Sequence, residues 1–257
     1  MNTLKNILFA VLLFISTAVI AQPLHYSTAN AHSHNDYEQK APLTTAYNAM
    51  FGSIEADIFW QNGELLVAHN REELASHRTL EELYLKPLNV LVKKNKGYIY
   101  ADTTRRLQFM IDLKTNGDTT LGTLVELLQK YPALTNCATL KIAISGNRPE
   151  VNTWPSYPSF IWFDGELQKE YPAAALARIV MLSSDFKKYM EWKGKGKVPA
   201  AQRDTMQQAI SRAHTSGKTV RFWGAPDNKG AWVLLTKLRV DYINTDRIKA
   251  LSNFLAH

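Results

Sequence analysis

Cysteine is almost missing from this chain. Cys137 stands alone among 257 residues, so neither an internal disulfide nor a cysteine-rich metal centre can organise the fold. Long apolar runs are equally scarce. The one at Ile7–Ile20 follows a short head carrying Lys5 and leads into small-residue chemistry ending at Ala21. That layout is a secretory signal peptide, and cleavage is expected between Ala21 and Gln22. An uncleaved anchor is the alternative, but a spanning helix needs roughly 20 apolar residues and this run is shorter. Residues 1–21 are therefore expected to be removed, residues 22–257 to form a soluble domain, and the product to be periplasmic or secreted. Low-complexity tracts and tandem repeats are lacking, as is a glycine-rich dinucleotide fingerprint after the first predicted strand. A basic stripe interleaved with aromatics is lacking too. The formal charge of +7 falls to +6 without Lys5, and the lysines gather in separate clumps, such as Lys93, Lys94 and Lys96, or Lys193, Lys195 and Lys197. Nucleic-acid binding gains no support from that distribution. A basic exterior suits an anionic small-molecule or lipid substrate and transient contact with a membrane surface.

What is present is an alternation of short β-rich apolar runs with helical patterns, the signature of βα units around a parallel sheet. The strands predicted in order are Ser27–Ala31, Ser53–Phe59, Leu107–Leu113, Lys141–Ile144, Phe160–Phe163, Ile179–Leu182, Thr219–Trp223 and Asp241–Asn244. A hairpin arm over Glu64–Ala68 joins the second strand through Asn62-Gly63, a turn-forming pair. Between them, Leu121, Leu124, Val125 and Leu128 carry helical spacing behind Thr120 and stop before Pro132. Thr79 and Glu82 form a capping box, with Pro87 expected to end that helix early. Met206, Ile210 and Ala213 mark a helix closed by Gly217, and two shorter ones follow at Trp232–Leu238 and Ile248–Leu251. The stretch from Gly146 to Ser159 disfavours a long helix, and Lys193–Pro199 reads as a mobile loop. Eight strands in this rhythm predict an α/β fold of one domain, a TIM-type (β/α)₈ barrel, whose usual length of roughly 250 residues fits.

Barrel sites lie at the C-terminal ends of strands, and the polar residues gather there. His32-Ser33-His34-Asn35-Asp36 follows the first strand, Glu55 and Asp57 sit within the second, and His69-Asn70 ends the hairpin arm. Asp112-Leu113-Lys114 ends the third. Residues two apart on a strand share a face, so Glu55 and Asp57 enter the mouth together. Two such carboxylates repel unless a cation lies between them. With Asp112 as a third ligand, an all-oxygen set suits Mg²⁺ or Ca²⁺ better than zinc. Phosphodiester cleavage needs a base for the attacking oxygen and an acid for the leaving one, and histidine serves both near neutral pH. His32 is read as the base and His69 as the acid, with the roles exchangeable, and Lys114 as a charge partner for the phosphate.

The segments HSHND, SIEADIFWQNGELLVAHN and MIDLKT resemble the superfamily of glycerophosphodiester phosphodiesterases, phosphatidylinositol-specific phospholipases C and sphingomyelinases D. His32, Glu55, Asp57, His69, Asp112 and Lys114 match that pattern in order. The resemblance implies a metal-assisted phosphoric diester hydrolase on a TIM barrel. Trp223 and Ile243–Asp246 resemble its closing strands, and TLEELYLKPL resembles an uncharacterised bacterial and fungal branch. Three departures stand out: Ser33-His34 where glycerophosphodiesterases carry Arg-Gly, Asn70 where Asp is commoner, and Asp112 where many have Glu. Asn35 is read as either a metal or phosphate contact or a turn former, and Trp223 as either a pocket wall or a packing residue. Asp36 is expected to be structural and His34 to support the site indirectly. Two other readings stay open: a zinc hydrolase built on His32-x-His34, and a secreted barrel that binds a phosphorylated ligand without cleaving it.

Overall fold

The computed structural model describes Pro23 and residues 25–256; the expected signal peptide at 1–21 lies outside the described residues. Nine strands form one sheet: β1 (Ala31–Ser33), β2 (Ser53–Gln61), β3 (Glu64–Val67), β4 (Leu107–Leu113), β5 (Leu140–Gly146), β6 (Ile161–Glu166), β7 (Ile179–Asp185), β8 (Thr219–Trp223) and β9 (Ile243–Thr245). Their order is β8-β7-β6-β5-β4-β2-β1-β9, and every neighbouring pair along that path is parallel. The antiparallel arm β3 hangs off β2. A single parallel bridge between Arg221 and Tyr242 links the two ends, so eight parallel strands close almost completely into the predicted barrel.

The helices α1 (Thr44–Asn48), α2 (Lys86–Lys94), α3 (Gly117–Gln129), α4 (Pro132–Thr135), α5 (Ala173–Leu176), α6 (Ala200–Thr215) and α7 (Lys229–Lys237) fall between the parallel strands, and α8 (Ile248–Leu255) follows the last of them. Both faces of a parallel sheet are covered, so its strands are apolar throughout rather than alternating. β4 shows this: Leu107, Phe109, Met110, Ile111 and Leu113 are all buried. Among the described residues no helix is long and apolar enough to cross a membrane.

Three local expectations change. β1 starts at Ala31 rather than Ser27, because the Ser27 hydroxyl accepts from the Ala29 amide and caps a 3₁₀ turn over Thr28–Asn30. Pro87 does not end its helix. It sits in the first turn of α2, where its missing N–H costs nothing, and a π-turn over Glu81–Leu85 leads into it. The cap of α3 is Asn116, whose side chain accepts from the Thr119 amide, so this helix begins one turn before Thr120.

Candidate active site

Strand register builds the site. Asp57 on β2 pairs with Asp112 on β4, and Asp112 pairs with Ser145 on β5, so three polar side chains fall in one tier at the C-terminal rim. Glu55 lies two residues below Asp57 on the same face of β2, with buried Ala56 turned the other way. Ligand oxygens of Glu55, Asp57 and Asp112 lie within 4.8 Å of one another.

Each carboxylate is held differently. The Tyr37 hydroxyl donates to Asp57 Oδ2 at 2.8 Å, and Lys114 Nζ stands 2.9 Å from the same oxygen. Asp57 Oδ1 is buried with no partner. Burial, followed by the charge of Glu55, pushes the Asp57 carboxyl up to about 6, against the pull of Lys114. Lys114 also reaches Asp112 Oδ1 at 2.8 Å, while Ser145 Oγ donates to Asp112 Oδ2 at 2.9 Å. Burial works against the Lys114 charge, but Asp112 and Asp57 outweigh it and keep the ammonium firmly protonated. Glu55 is pushed up by burial, yet the Arg221 guanidinium at 2.9 Å and the His32 hydrogen bond at 2.6 Å hold it well below the usual carboxylate range.

Arg221 escaped the sequence reading. It is buried on β8 and reaches His32 Nε2 at 2.7 Å and Ser183 Oγ at 3.2 Å, with Asp164 3.7 Å away. Burial pushes Asp164 up to about 6 in spite of this neighbour. A signal was available: Arg221 stands two residues before Trp223, and so shares its face, as a lone cation in an apolar strand.

The two histidines of the first strand diverge. His32 is wholly buried, with Nδ1 2.7 Å from Ser53 Oγ and Nε2 against Glu55 and Arg221. Burial and the Arg221 charge drop it to about 4, so it is neutral at neutral pH. His34 sits further out, its Nδ1 2.8 Å from Asp246 Oδ1. Burial works to lower its pKa, but the Asp246 hydrogen bond and the Glu55 and Asp246 charges raise it above the ordinary imidazole value. His69, half exposed at the end of β3, has Nδ1 3.2 Å from the Tyr37 hydroxyl and 3.9 Å from Asp57 Oδ2.

Asn35 holds a left-handed backbone with φ 45°, the turn-forming role, which Asn tolerates better than most residues. Asp36 is structural as expected: it accepts from Ser33, the Leu43 amide and the Tyr84 hydroxyl. Trp223 is 43% exposed and lines the mouth. That mouth is a cavity of about 370 Å³ whose wall includes His34, Lys114, Arg148, Lys188, Arg221 and Trp223, along with Glu55 and Asp112.

The acidic cluster fits a hard divalent cation. All its donors are oxygens, one of them is a buried orphan, and three carboxylates face the two cations that touch them, Lys114 and Arg221. The His32-x-His34 pair gives no zinc geometry: its rings are engaged by different partners, and the triad is the group of metal-ligating side chains found among the described residues.

A nearly closed parallel barrel with an acidic mouth is the TIM-type fold and the site arrangement that the sequence resemblance implied. Residues 24–135 match the family model of the AIM6-like phosphodiesterase domain, a segment that includes the acidic triad, His32, His34, His69 and Lys114. The chain is similar to altered inheritance of mitochondria protein 6 of Eremothecium gossypii, at 27% identity over 271 residues covering 87% of this chain and 68% of that protein. Its homolog in Arthroderma benhamiae is 26% identical over 259 residues, covering 87% of this chain and 82% of that protein. Among solved structures, a glycerophosphodiester phosphodiesterase from Parabacteroides distasonis shares the fold, with TM-score 0.55, 14% identity, and coverage of 88% of this chain and 97% of that one.

Proposed function

We propose that this chain is a metal-assisted phosphoric diester hydrolase. The observation that carries the reading is the triad of Glu55, Asp57 and Asp112, gathered within 4.8 Å and leaving Asp57 Oδ1 buried and unpartnered. A family match to a phosphodiesterase domain over the same residues supports it. The triad would hold Mg²⁺ or Ca²⁺, which when bound would supply charge to polarise the phosphate and neutralise the developing oxyanion.

The chain's own groups do the rest. Glu55 is kept ionised by Arg221 and is ready as a ligand, and Lys114, bridging Asp57 and Asp112, stands where a phosphate oxygen would meet an ammonium. His69 lies beside Asp57, in position to exchange a proton with an oxygen near the triad. A first-strand imidazole, His32 or His34, serves as its counterpart across the mouth. Attack by water gives a monoester; attack by a hydroxyl of the substrate gives a cyclic product. The substrate is a phosphodiester, free or on a lipid, met outside the cytoplasm after export directed by residues 1–21, with only transient contact at a membrane surface.

The test is incubation with a panel of glycerophosphodiesters and phospholipids, with and without chelator, read by phosphorus NMR. Cation-dependent release of a phosphomonoester or cyclic phosphate is expected. Binding across the panel without turnover would overturn the reading in favour of a non-catalytic barrel, and tightly held stoichiometric zinc would overturn the assigned metal chemistry.

A further inference from the structure

The first strand offers two imidazoles, and only one of them reaches the cavity. His32 has no exposed surface and both ring nitrogens are engaged, by Ser53 on one side and by Glu55 and Arg221 on the other. A substrate oxygen could meet its Nε2 only by displacing Arg221 or Glu55 from it. His34 lines the cavity. Its Nδ1 is tied to Asp246, and among the described residues nothing hydrogen-bonds its Nε2. A histidine held by a carboxylate through one nitrogen presents the other in a fixed tautomer and direction, the arrangement that proton transfer requires.

Asp246 is itself fixed. Its amide donates to Asp227 Oδ2 at 3.0 Å, and Gln39 Nε2 donates to its carbonyl at 3.0 Å. Asp227 also accepts from Thr245 Oγ1 at 2.9 Å and Trp232 Nε1 at 3.0 Å, which locks the turn after β9. Four side chains thus hold the backbone that carries a carboxylate whose own side chain is 62% exposed. Such a network is unneeded for a surface ion pair, since exposed pairs contribute little to stability.

We infer that His34, steered by Asp246 as a positioning residue, is the general acid that protonates the leaving oxygen, while His32 positions Glu55 from inside the barrel wall. This rests on the phosphodiesterase reading above. The cavity that His34 lines extends over the ends of β5 to β8, away from His69, and so takes the leaving portion of the substrate. In the step, the attacking oxygen forms a new bond to phosphorus and gives its proton to His69. The old P–O bond breaks with its electron pair on the leaving oxygen, which takes the Nε2 proton of His34. Solvent then returns a proton to His34 and removes one from His69.

The experiment uses an alkyl diester of the panel that the wild type hydrolyses, and its counterpart with a nitrophenolate leaving group, which needs no acid. His34→Gln is expected to lose about 100-fold or more in kcat on the alkyl diester and to stay close to the wild type on the nitrophenyl ester. Asp246→Asn should show the same pattern more weakly, with partial recovery in Asp246→Glu. His32→Gln should lose on both substrates alike and require more cation. Equal losses by His34→Gln on the two esters, wild-type turnover by it on the alkyl diester, or the leaving-group pattern appearing in His32→Gln would each overturn the inference while leaving the phosphodiesterase reading intact. A wild type that hydrolyses neither ester with cation present ends both.

Discussion

Replacing Asp57 with Asn separates what the acidic cluster costs the fold from what it does for the site. Burial and the Glu55 charge raise this carboxyl to about 6 from an ordinary value of 3.8, so the folded chain holds the proton more tightly than the unfolded one. The stability contributed by that proton is complete below about pH 4 and is lost as pH climbs through about 6. Above both values the ionised Asp57 destabilises the cation-free fold by about 3 kcal/mol, from 1.36 kcal/mol for each factor of ten in proton affinity. Asn can still accept from Tyr37 and Lys114 through one oxygen, and its amide would replace the orphaned Oδ1 close to the other two carboxylates. In chelator near neutral pH, Asp57→Asn is therefore expected to melt higher, by roughly 6–12 °C for a domain of this size. The two proteins should converge below about pH 4. Added Mg²⁺ or Ca²⁺ at roughly 1,000 times Kd should reverse the order, since it stabilises the wild type by about 4.1 kcal/mol and the variant hardly at all. Differential scanning calorimetry at both pH values, with chelator and with each cation, reads all of this. A variant that melts below the wild type in chelator, or responds to cation equally, would refute the electrostatic account of the cluster.

Arg221→Gln leaves Glu55 buried without its guanidinium, and a broken buried pair costs about 3–5 kcal/mol; urea melts should show that loss, with Arg221→Lys recovering part of it. Gly146→Ala should lower cation affinity, measured by calorimetric titration. Gly146 has φ +71°, and a Cβ there would come within 2.5 Å of Asp112 Oδ1 and 2.6 Å of the Leu113 carbonyl, so the ligand must move. Unchanged affinity would show that Asp112 is not a ligand.

Much of the barrel was legible because its strands are nearly continuous apolar runs. Leu107–Leu113 and Thr219–Trp223 emerged with the predicted ends. The triad was legible for a related reason: two carboxylates at i and i+2 of such a run must share a face, and the strand-end histidines and Asp112-Leu113-Lys114 around them set them apart from an ordinary ion pair. What could not be read were features set by tertiary partners. Whether His32 or His34 reaches the mouth depends on where the first strand begins, and a serine-capped turn moved that start from Ser27 to Ala31. Arg221 matters only because the closed barrel brings a side chain of β8 within reach of His32 on β1 and Glu55 on β2, a contact across 166 residues of sequence that no local pattern encodes. The Asp227 network around Asp246 is equally remote from His34 in sequence. Pro87 misled because its effect depends on position: it interrupts a helix midway but fits the opening turn.

Elsewhere around the circle, neighbouring strands share a ladder of pairs; between β8 and β9 the staves meet at one rung, Arg221 to Tyr242. The residue at that joint is also the clasp on Glu55 and His32. Hoop and acidic mouth thus hang on the same guanidinium, so any breathing of the circle there would loosen the acid that would grip the cation, and an ion seated in the mouth would in turn cinch the circle shut.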